Sequence, residues 1–302
     1  MKKRTAAVWL LVFAMALLQG CSAAAGTQQE EINPSAQTLS AADESMITDR
    51  DREIGYSEAG SSLIKLKDGA SSADGAGVSI EESTITISEE GTYILSGSLS
   101  NGQIIVDAPE SAKIQLVLNG VEISNKSTAP IYVRKADKVF ITTAKGTANT
   151  LSVTGEYEAI DDNNIDAVVF SKSDLTLNGA GTININAAYG HGVVSKDDLA
   201  VTCGNYKISA EKHGLSGKNS VRIAGGSFDI TCTEDGIHSE NTDDETLGFV
   251  YIEDGNFDIS AGDDGVHASN YAKILGGNIK ISKSYEGIEG LTIDISGGEI
   301  SV

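Results

Sequence analysis

The stretch Asp263-Asp264-Gly265-Val266-His267 decides the fold, because near-copies of it return through the second half of the chain. His191-Gly192-Val193, His213-Gly214-Leu215 and Asp235-Gly236-Ile237 precede it, and Glu286-Gly287-Ile288 follows. The steps between their glycines are 22, 22, 29 and 22 residues; the long step carries about seven extra residues in the polar run around Asp243-Asp244-Glu245. A period of this size with strand-like content marks a solenoid, whose single repeats cannot bury an apolar face but whose stacked repeats can.

Aligning the repeats on their glycine produces apolar columns. Val193, Leu215, Ile237, Val266 and Ile288 stand one past the glycine, and Val201, Ile223, Ile252, Ile274 and Ile295 form a second column. Tyr206, Phe228, Phe257, Ile279 and Ile300 form a third, with Ile208, Ile230, Ile259, Ile281 and Val302 two residues further on and therefore on the same strand face. A coil of about 22 residues holding two or three short strands is one rung of a parallel β-helix. The expectation is an all-β, right-handed parallel β-helix, the hand being the usual sense for parallel connections. Gly225-Gly226, Gly276-Gly277 and Gly297-Gly298, with Cys203-Gly204 and Asp254-Gly255 in register, mark a corner that needs permissive backbone angles. The sequence stops at Val302 inside a strand, so the stack is expected to be truncated relative to a longer protein.

Composition agrees with many short strands and tight turns: 33 glycines and only 3 prolines in 302 residues, with 5% aromatics. The formal charge is −21. Such a field argues against nucleic acid and anionic lipid head groups as partners and favours cations. At the N-terminus Lys2-Lys3-Arg4, the apolar run from Ala6 to Leu18 and Leu18-Gln19-Gly20-Cys21 read as a signal peptide ending in a motif that resembles the bacterial lipobox. Removing that segment leaves 19 cationic against 43 anionic side chains, a net −24. The expected organisation is a signal peptide over 1–20, a flexible acidic linker over 21–62 starting at lipidated Cys21, and a β-helix domain over 63–302. That places the protein outside the cell, as a monomer lipid-anchored to the bacterial membrane. Cys203 and Cys232 sit at different offsets in the repeat and read as small buried hydrophobes.

The same register builds polar columns. Just before the glycine stand His191, His213, Asp235, Asp264 and Glu286; one earlier come Lys212, Glu234, Asp263 and Tyr285; two after come Ser216, His238, His267 and Glu289. Asp235, Asp264 and Glu286 thus fall in one outward line, with Asp263 and Glu289 alongside. Carboxylates a rung apart repel unless protonated or neutralised by a cation, and a face of converging oxygens suits calcium. Each acid taken singly is equally a turn residue solvating a surface, since Asp-Gly is a common turn dipeptide. His238 and His267 are either a solvated stacked pair or ligand contacts. Lys283 stands where the column otherwise holds Ala210, Cys232 and Ala261, and it is a candidate contact for an anionic ligand. Asp161-Asp162 with Asp166 is a second candidate acidic group. Trp9, the sole tryptophan, lies in the signal segment, which leaves Tyr189, Tyr271 and Tyr285 as stacking residues for sugars.

Lys283-Ser284-Tyr285-Glu286-Gly287-Ile288-Glu289-Gly290, the Asp-Asp-Gly-Val-His turns and Ser195-Lys196-Asp197-Asp198-Leu199 resemble the bacterial carbohydrate-binding lipoproteins built on a parallel β-helix related to pectate lyases. The resemblance covers roughly Ala73 to Val302. It implies a calcium-containing right-handed β-helix that binds plant cell-wall polysaccharide, cellulose or acidic sugars such as polygalacturonate. By position, the implied calcium face is Asp235, Asp263, Asp264, Glu286 and Glu289, with His238, His267, Lys283 and Tyr285 beside it for the ligand. Two rival readings stand next to this non-catalytic one. One is a calcium-dependent polysaccharide lyase, in which a Lys or Arg beside the metal abstracts a proton; only Lys212 or Lys283 lie near the acidic column. The other is a structural surface spacer or adhesin.

Overall fold

The protein is represented by a computed structural model that describes residues 46–160 and 164–302. The signal segment, Cys21 and the pair Asp161-Asp162 lie outside the described residues.

Polar corner residues end each short apolar run, and the chain turns to stack on itself. His191–Ser195, Asp198–Val201 and Asn205–Ala210 make one coil, and Leu215–Gly217, Ser220–Ile223 and Ser227–Cys232 make the next. Strands of successive coils pair in parallel: Val193 lies opposite Leu215, Leu199 opposite Val221 and Tyr206 opposite Phe228, each partner 22 residues on. The first ladder continues through Ile237–Ser239 and the start of Val266–Ile274, the second through Phe249–Ile252, and the third through Asn256–Ser260 and Asn278–Lys283. The result is an all-β chain whose sheet is parallel in three ladders. Antiparallel pairs occur at the N-terminal end, between Ser62–Leu66 and Ser72–Ala73 and between Val78–Glu81 and Thr84–Ile87.

The predicted columns face inward. Val193, Leu215, Ile237 and Val266 from the first ladder meet Val201, Ile223, Ile252 and Ile274 from the second, and Ile208, Ile230 and Ile259 from the third, in one buried cluster. Tyr206, Phe228 and Phe257 stack with ring centroids 5.1 and 4.6 Å apart, each such pair adding about 0.5–1.5 kcal/mol to the burial itself. Cys232 is buried in the same cluster, whereas Cys203 is only half-buried, and both of these are free thiols. Burial pushes the Cys232 thiol up to about 12. On the final coil Leu291 and Ile295 are exposed. The seven extra residues form the expected polar excursion, where the side chain of buried Asn241 accepts hydrogen bonds from the backbone N–H groups of Asp243 and Asp244.

Two glycine columns serve different needs. At the corner before the third ladder, Gly204, Gly226, Gly255, Gly277 and Gly298 all have positive φ, between 92° and 140°. The column of Gly192, Gly214, Gly236 and Gly265 does not; there the rungs come too close for a side chain. A Cβ on Gly236 would sit 2.6 Å from Ile259 Cγ2 and 2.7 Å from the carbonyl oxygen of Gly265. The Asp-Gly dipeptide is therefore a close-approach position as much as a turn.

Residues 46–60, which composition assigns to the linker, are structured. Thr48 caps the helix Asp49–Arg52 through a reciprocal pair of hydrogen bonds with Asp51. This segment forms a strap over the outward side of the second ladder. Asp51 is buried and accepts from Lys138 Nζ at 2.7 Å and Thr176 Oγ1 at 2.5 Å, while Thr202 Oγ1 and Asn178 Nδ2 both donate to its carbonyl at 3.0 Å. Arg50 lies 4.1 Å over the Phe140 ring, and Ile47 is buried. Burial alone would raise the Asp51 carboxyl, but Lys138, Thr176 and Thr48 outweigh it and hold the group at about 2. Residues 46–62, placed in the linker by composition, thus include a helix and a strap packed on the coils.

Candidate functional site

The chain passes from the third ladder to the first through a short corner, and the residues just before the column glycine sit on it. The side chains of His191, His213, Asp235 and Asp264 each accept a hydrogen bond from the backbone N–H of the successor one coil on. Asp235 N donates to His213 Nδ1 at 3.0 Å, Asp264 N to Asp235 Oδ1 at 2.8 Å, and Glu286 N to Asp264 Oδ1 at 3.2 Å; His213 N donates to His191 Nδ1 at 3.2 Å. The column supplies acceptors to backbone donors, which are costly to leave unpaired. His191 and His213 therefore carry their proton on Nε2, which lies 3.4 Å from Asp166 in one case and 3.2 Å from Glu234 in the other.

The four histidine rings form one stack, His191–His213–His238–His267, with centroid steps of 4.9, 4.0 and 5.0 Å. Counting from the glycine separates them into two columns. In space the ring of His213, ahead of its glycine, lies over that of His238, which follows its own. Side-chain direction at a corner does not obey strand alternation, so sequence register alone misses this contact.

The stack is held in carboxylates. His238 Nδ1 lies 2.7 Å from Asp235 Oδ2, and His267 Nδ1 lies 3.3 Å from Asp264 Oδ2 and 2.6 Å from Glu289 Oε2. Burial, and then the neighbouring His238 and His191 rings, push His213 down to about 3, so it stays neutral. His267 moves the other way: burial opposes its charge, but Asp264 and Glu289 outweigh it and raise the pKa. Asp235 is lowered despite burial, because His238 and the backbone N–H of Asp264 favour its charged form. Asp264 is raised by burial, by Glu289 and by Asp235, with His267 only partly offsetting them. The corner is therefore crowded with like charge around Asp264.

The acids that the sequence places on one face fall into two overlapping groups. Asp235, Asp263 and Asp264 each bring a carboxylate oxygen within 4.8 Å of the others, and so do the ligand atoms of Asp264, His267 and Glu289. Asp235 and Asp264 are buried, whereas Asp263 is exposed. Glu286 is in neither group: its side chain is exposed, and its backbone N–H does the work by capping Asp264. Lys283 is exposed, and a bulge in the strand sets it opposite Ser260 instead of in the Ala261 column. Tyr285 is 81% exposed. Asp166 meets His191 and, at 4.0 Å, Lys212. A third acidic group, Asp174, Asp197 and Asp198, is already engaged, since Arg222 reaches Asp198 at 2.6 Å and Asn219 reaches Asp197 at 2.5 Å.

Comparison with known proteins supplies the family. Residues 81–302 match the family model described as carbohydrate-binding domain-containing protein. A carbohydrate-binding domain-containing protein of Acetivibrio thermocellus is 38% identical over 136 residues, 44% of this chain and 48% of the relative, so the match spans about half of that protein's length. The solved structure of a polysaccharide lyase-like protein from C. thermocellum, a gadolinium derivative, is also similar, with a TM-score of 0.75 and 35% identity. That match covers 79% of this chain and 99% of the solved one. The chain belongs to the family of carbohydrate-binding domain-containing proteins.

Proposed function

We propose that the stack is a right-handed parallel β-helix acting as a non-catalytic, cell-surface module that binds acidic polysaccharide, polygalacturonate first, through calcium on the acidic corner. The observation that carries this reading is the trio Asp235, Asp263 and Asp264, three carboxylates brought within 4.8 Å on adjacent rungs. Two of them are buried and each has one oxygen fixed by a backbone N–H, so the donors are pre-positioned. Calcium takes about 6–8 oxygens in loose geometry. Three from the protein leave positions for water and for a uronate carboxylate, which is how a bridging ion works. Burial first, and then the neighbouring carboxylates of Glu289 and Asp235, raise Asp264, and a divalent cation would offset both. The solved relative, as a gadolinium derivative, took up a hard cation of the kind that oxygen donors hold. Glu289, His267, His238, Lys283 and Tyr285 flank the trio on neighbouring positions and would meet the glycan. Lys2-Lys3-Arg4 and Leu18-Gln19-Gly20-Cys21 support export and attachment to the bacterial membrane through a lipid on Cys21.

The lyase-like relative favours a second reading, a calcium-dependent polysaccharide lyase on the same scaffold. One experiment separates the two. The soluble domain is passed over immobilised polygalacturonate with calcium and then with chelator, and the eluate is assayed for unsaturated oligosaccharide. Calcium-dependent retention without unsaturated product is expected. Product formation would establish the lyase, and no retention in either condition would leave a surface spacer.

A further inference from the structure

The histidine stack holds donors that the calcium trio does not use, and its ring nitrogens are not equivalent. His191 and His213 each spend Nδ1 on a backbone N–H of the next coil, which fixes the proton on Nε2. A metal at either Nε2 would cost that backbone bond. His238 turns Nδ1 to Asp235 Oδ2 at 2.7 Å, and one N–H···O bond satisfies the pair. His267 is different. Its Nδ1 faces two carboxylates, Glu289 Oε2 at 2.6 Å and Asp264 Oδ2 at 3.3 Å, while Asp264 Oδ1 is occupied by the backbone N–H of Glu286 at 3.2 Å.

One proton on Nδ1 cannot serve both acceptors fully, and with both carboxylates ionised the group stays negative even when the ring is protonated. A divalent ion in the place of that proton would satisfy all three donors. Their ligand atoms lie within 4.8 Å of one another. Zinc holds imidazole nitrogen and carboxylate oxygen at about 2.0–2.2 Å, which sets its ligand atoms about 3.0–3.5 Å apart. One His267 distance falls in that range and the other is shorter, so the exposed Glu289 need only draw back slightly. Backbone register holds the set, since Asp264 and His267 share one corner and His267 pairs with Glu289 across the first ladder. Asp264 is buried and His267 partly buried, so the protein donors line one side and water completes the other. The nitrogen separates this group from the trio of carboxylates: calcium takes oxygen, whereas zinc and copper accept imidazole together with carboxylate.

We propose that Asp264 Oδ2, His267 Nδ1 and Glu289 Oε2 form a site for a zinc-class transition-metal ion, sharing only Asp264 with the calcium trio. It adds a second metal class to the corner and requires neither calcium nor glycan. Three protein ligands and a solvent-facing position make it an open site, in which water fills the remaining coordination.

Calorimetric titration of the soluble domain, carrying no histidine tag, with zinc chloride and separately with calcium chloride tests this. One zinc ion per chain is expected, bound at least about tenfold more tightly than calcium. His267→Gln and Glu289→Gln should each weaken zinc about tenfold or more. His238→Gln and Asp263→Asn should leave zinc as in the native chain. Circular dichroism and thermal unfolding without metal check that each variant folds, and Glu289→Gln, on an exposed side chain, keeps the test sound if His267→Gln disturbs the stack. Copper(II) at one equivalent should show nitrogen superhyperfine splitting in electron paramagnetic resonance, lost in His267→Gln. The proposal is overturned if the native domain binds no zinc, if both His267→Gln and Glu289→Gln bind it as tightly as the native chain, or if the copper signal carries no nitrogen splitting. It is equally overturned if His238→Gln weakens zinc as much as His267→Gln does. Absence of calcium binding, with zinc bound and sensitive to His267→Gln, would count against the trio and leave this site standing.

Discussion

Replacing Gly236 by alanine tests the stacking geometry most sharply. The added methyl would lie 2.6 Å from Ile259 Cγ2, a core atom, and 2.7 Å from the carbonyl oxygen of Gly265 on the next coil. Neither neighbour is the loose end of a flexible chain, so the rungs must part. That carbonyl accepts the Ile237 N–H at 3.1 Å, and the Gly236 N–H itself donates to Asp264 O at 2.9 Å, so both bonds stretch. Overpacking costs about 1–3 kcal/mol, and weakening two hydrogen bonds adds about 1 kcal/mol. The smaller entropy of the unfolded alanine chain returns less than about 1 kcal/mol. A net loss of about 2–3 kcal/mol is expected in urea unfolding followed by circular dichroism. Gly60→Ala is the control, because nothing lies within 4 Å of its added methyl and its φ is not left-handed; it should stay within about 0.5 kcal/mol of the native chain. A Gly236→Ala domain as stable as that control would refute the close-approach reading of the whole column.

Asp51→Asn should release the strap: it leaves Lys138 without its 2.7 Å partner, a loss of about 3 kcal/mol locally, read as faster trypsin cleavage after Arg50 and Arg52. Asp51 also sets an acid dependence. Its folded pKa of about 2 is depressed, so its contribution is present above the ordinary carboxylate range and is lost as pH falls toward 2; the native chain should lose about 2 kcal/mol more than Asp51→Asn over that window. Calcium should raise the melting temperature of the native domain but not that of Asp264→Ala, and an equal rise in both would remove Asp264 from the site. Calcium binding should also release a proton from His267, whose raised pKa depends on Asp264 and Glu289. Calorimetric heats that do not vary with buffer ionisation enthalpy would contradict that coupling.

How much of this was legible in the sequence follows from what repeats. Val193, Leu215, Ile237 and Val266 recur at a fixed offset because inward ladders demand it, so the core columns could be counted off. The positive-φ glycines were legible for the same reason. The strap was not: Asp51 belongs to no repeat, and its burial depends on Lys138, Thr176 and Thr202, all distant in sequence. The corner was half legible. Asp235, Asp263 and Asp264 come together as their register suggests, but Glu286 contributes a backbone N–H instead of a carboxylate, and the bulge moves Lys283 off its column. The merging of four histidines into one stack depends on side-chain directions at a corner, which spacing does not encode.

The central claim is that one calcium ion joins the acidic corner to a uronate. Linkage makes this directly measurable, since a bridging ion requires each ligand to strengthen the other by the same factor. Calcium titrated calorimetrically into the soluble domain, with and without saturating oligogalacturonate, should show a calcium Kd lowered by the glycan, and a glycan Kd lowered by the same factor when calcium is present. A calcium affinity that the glycan leaves unchanged would contradict the account.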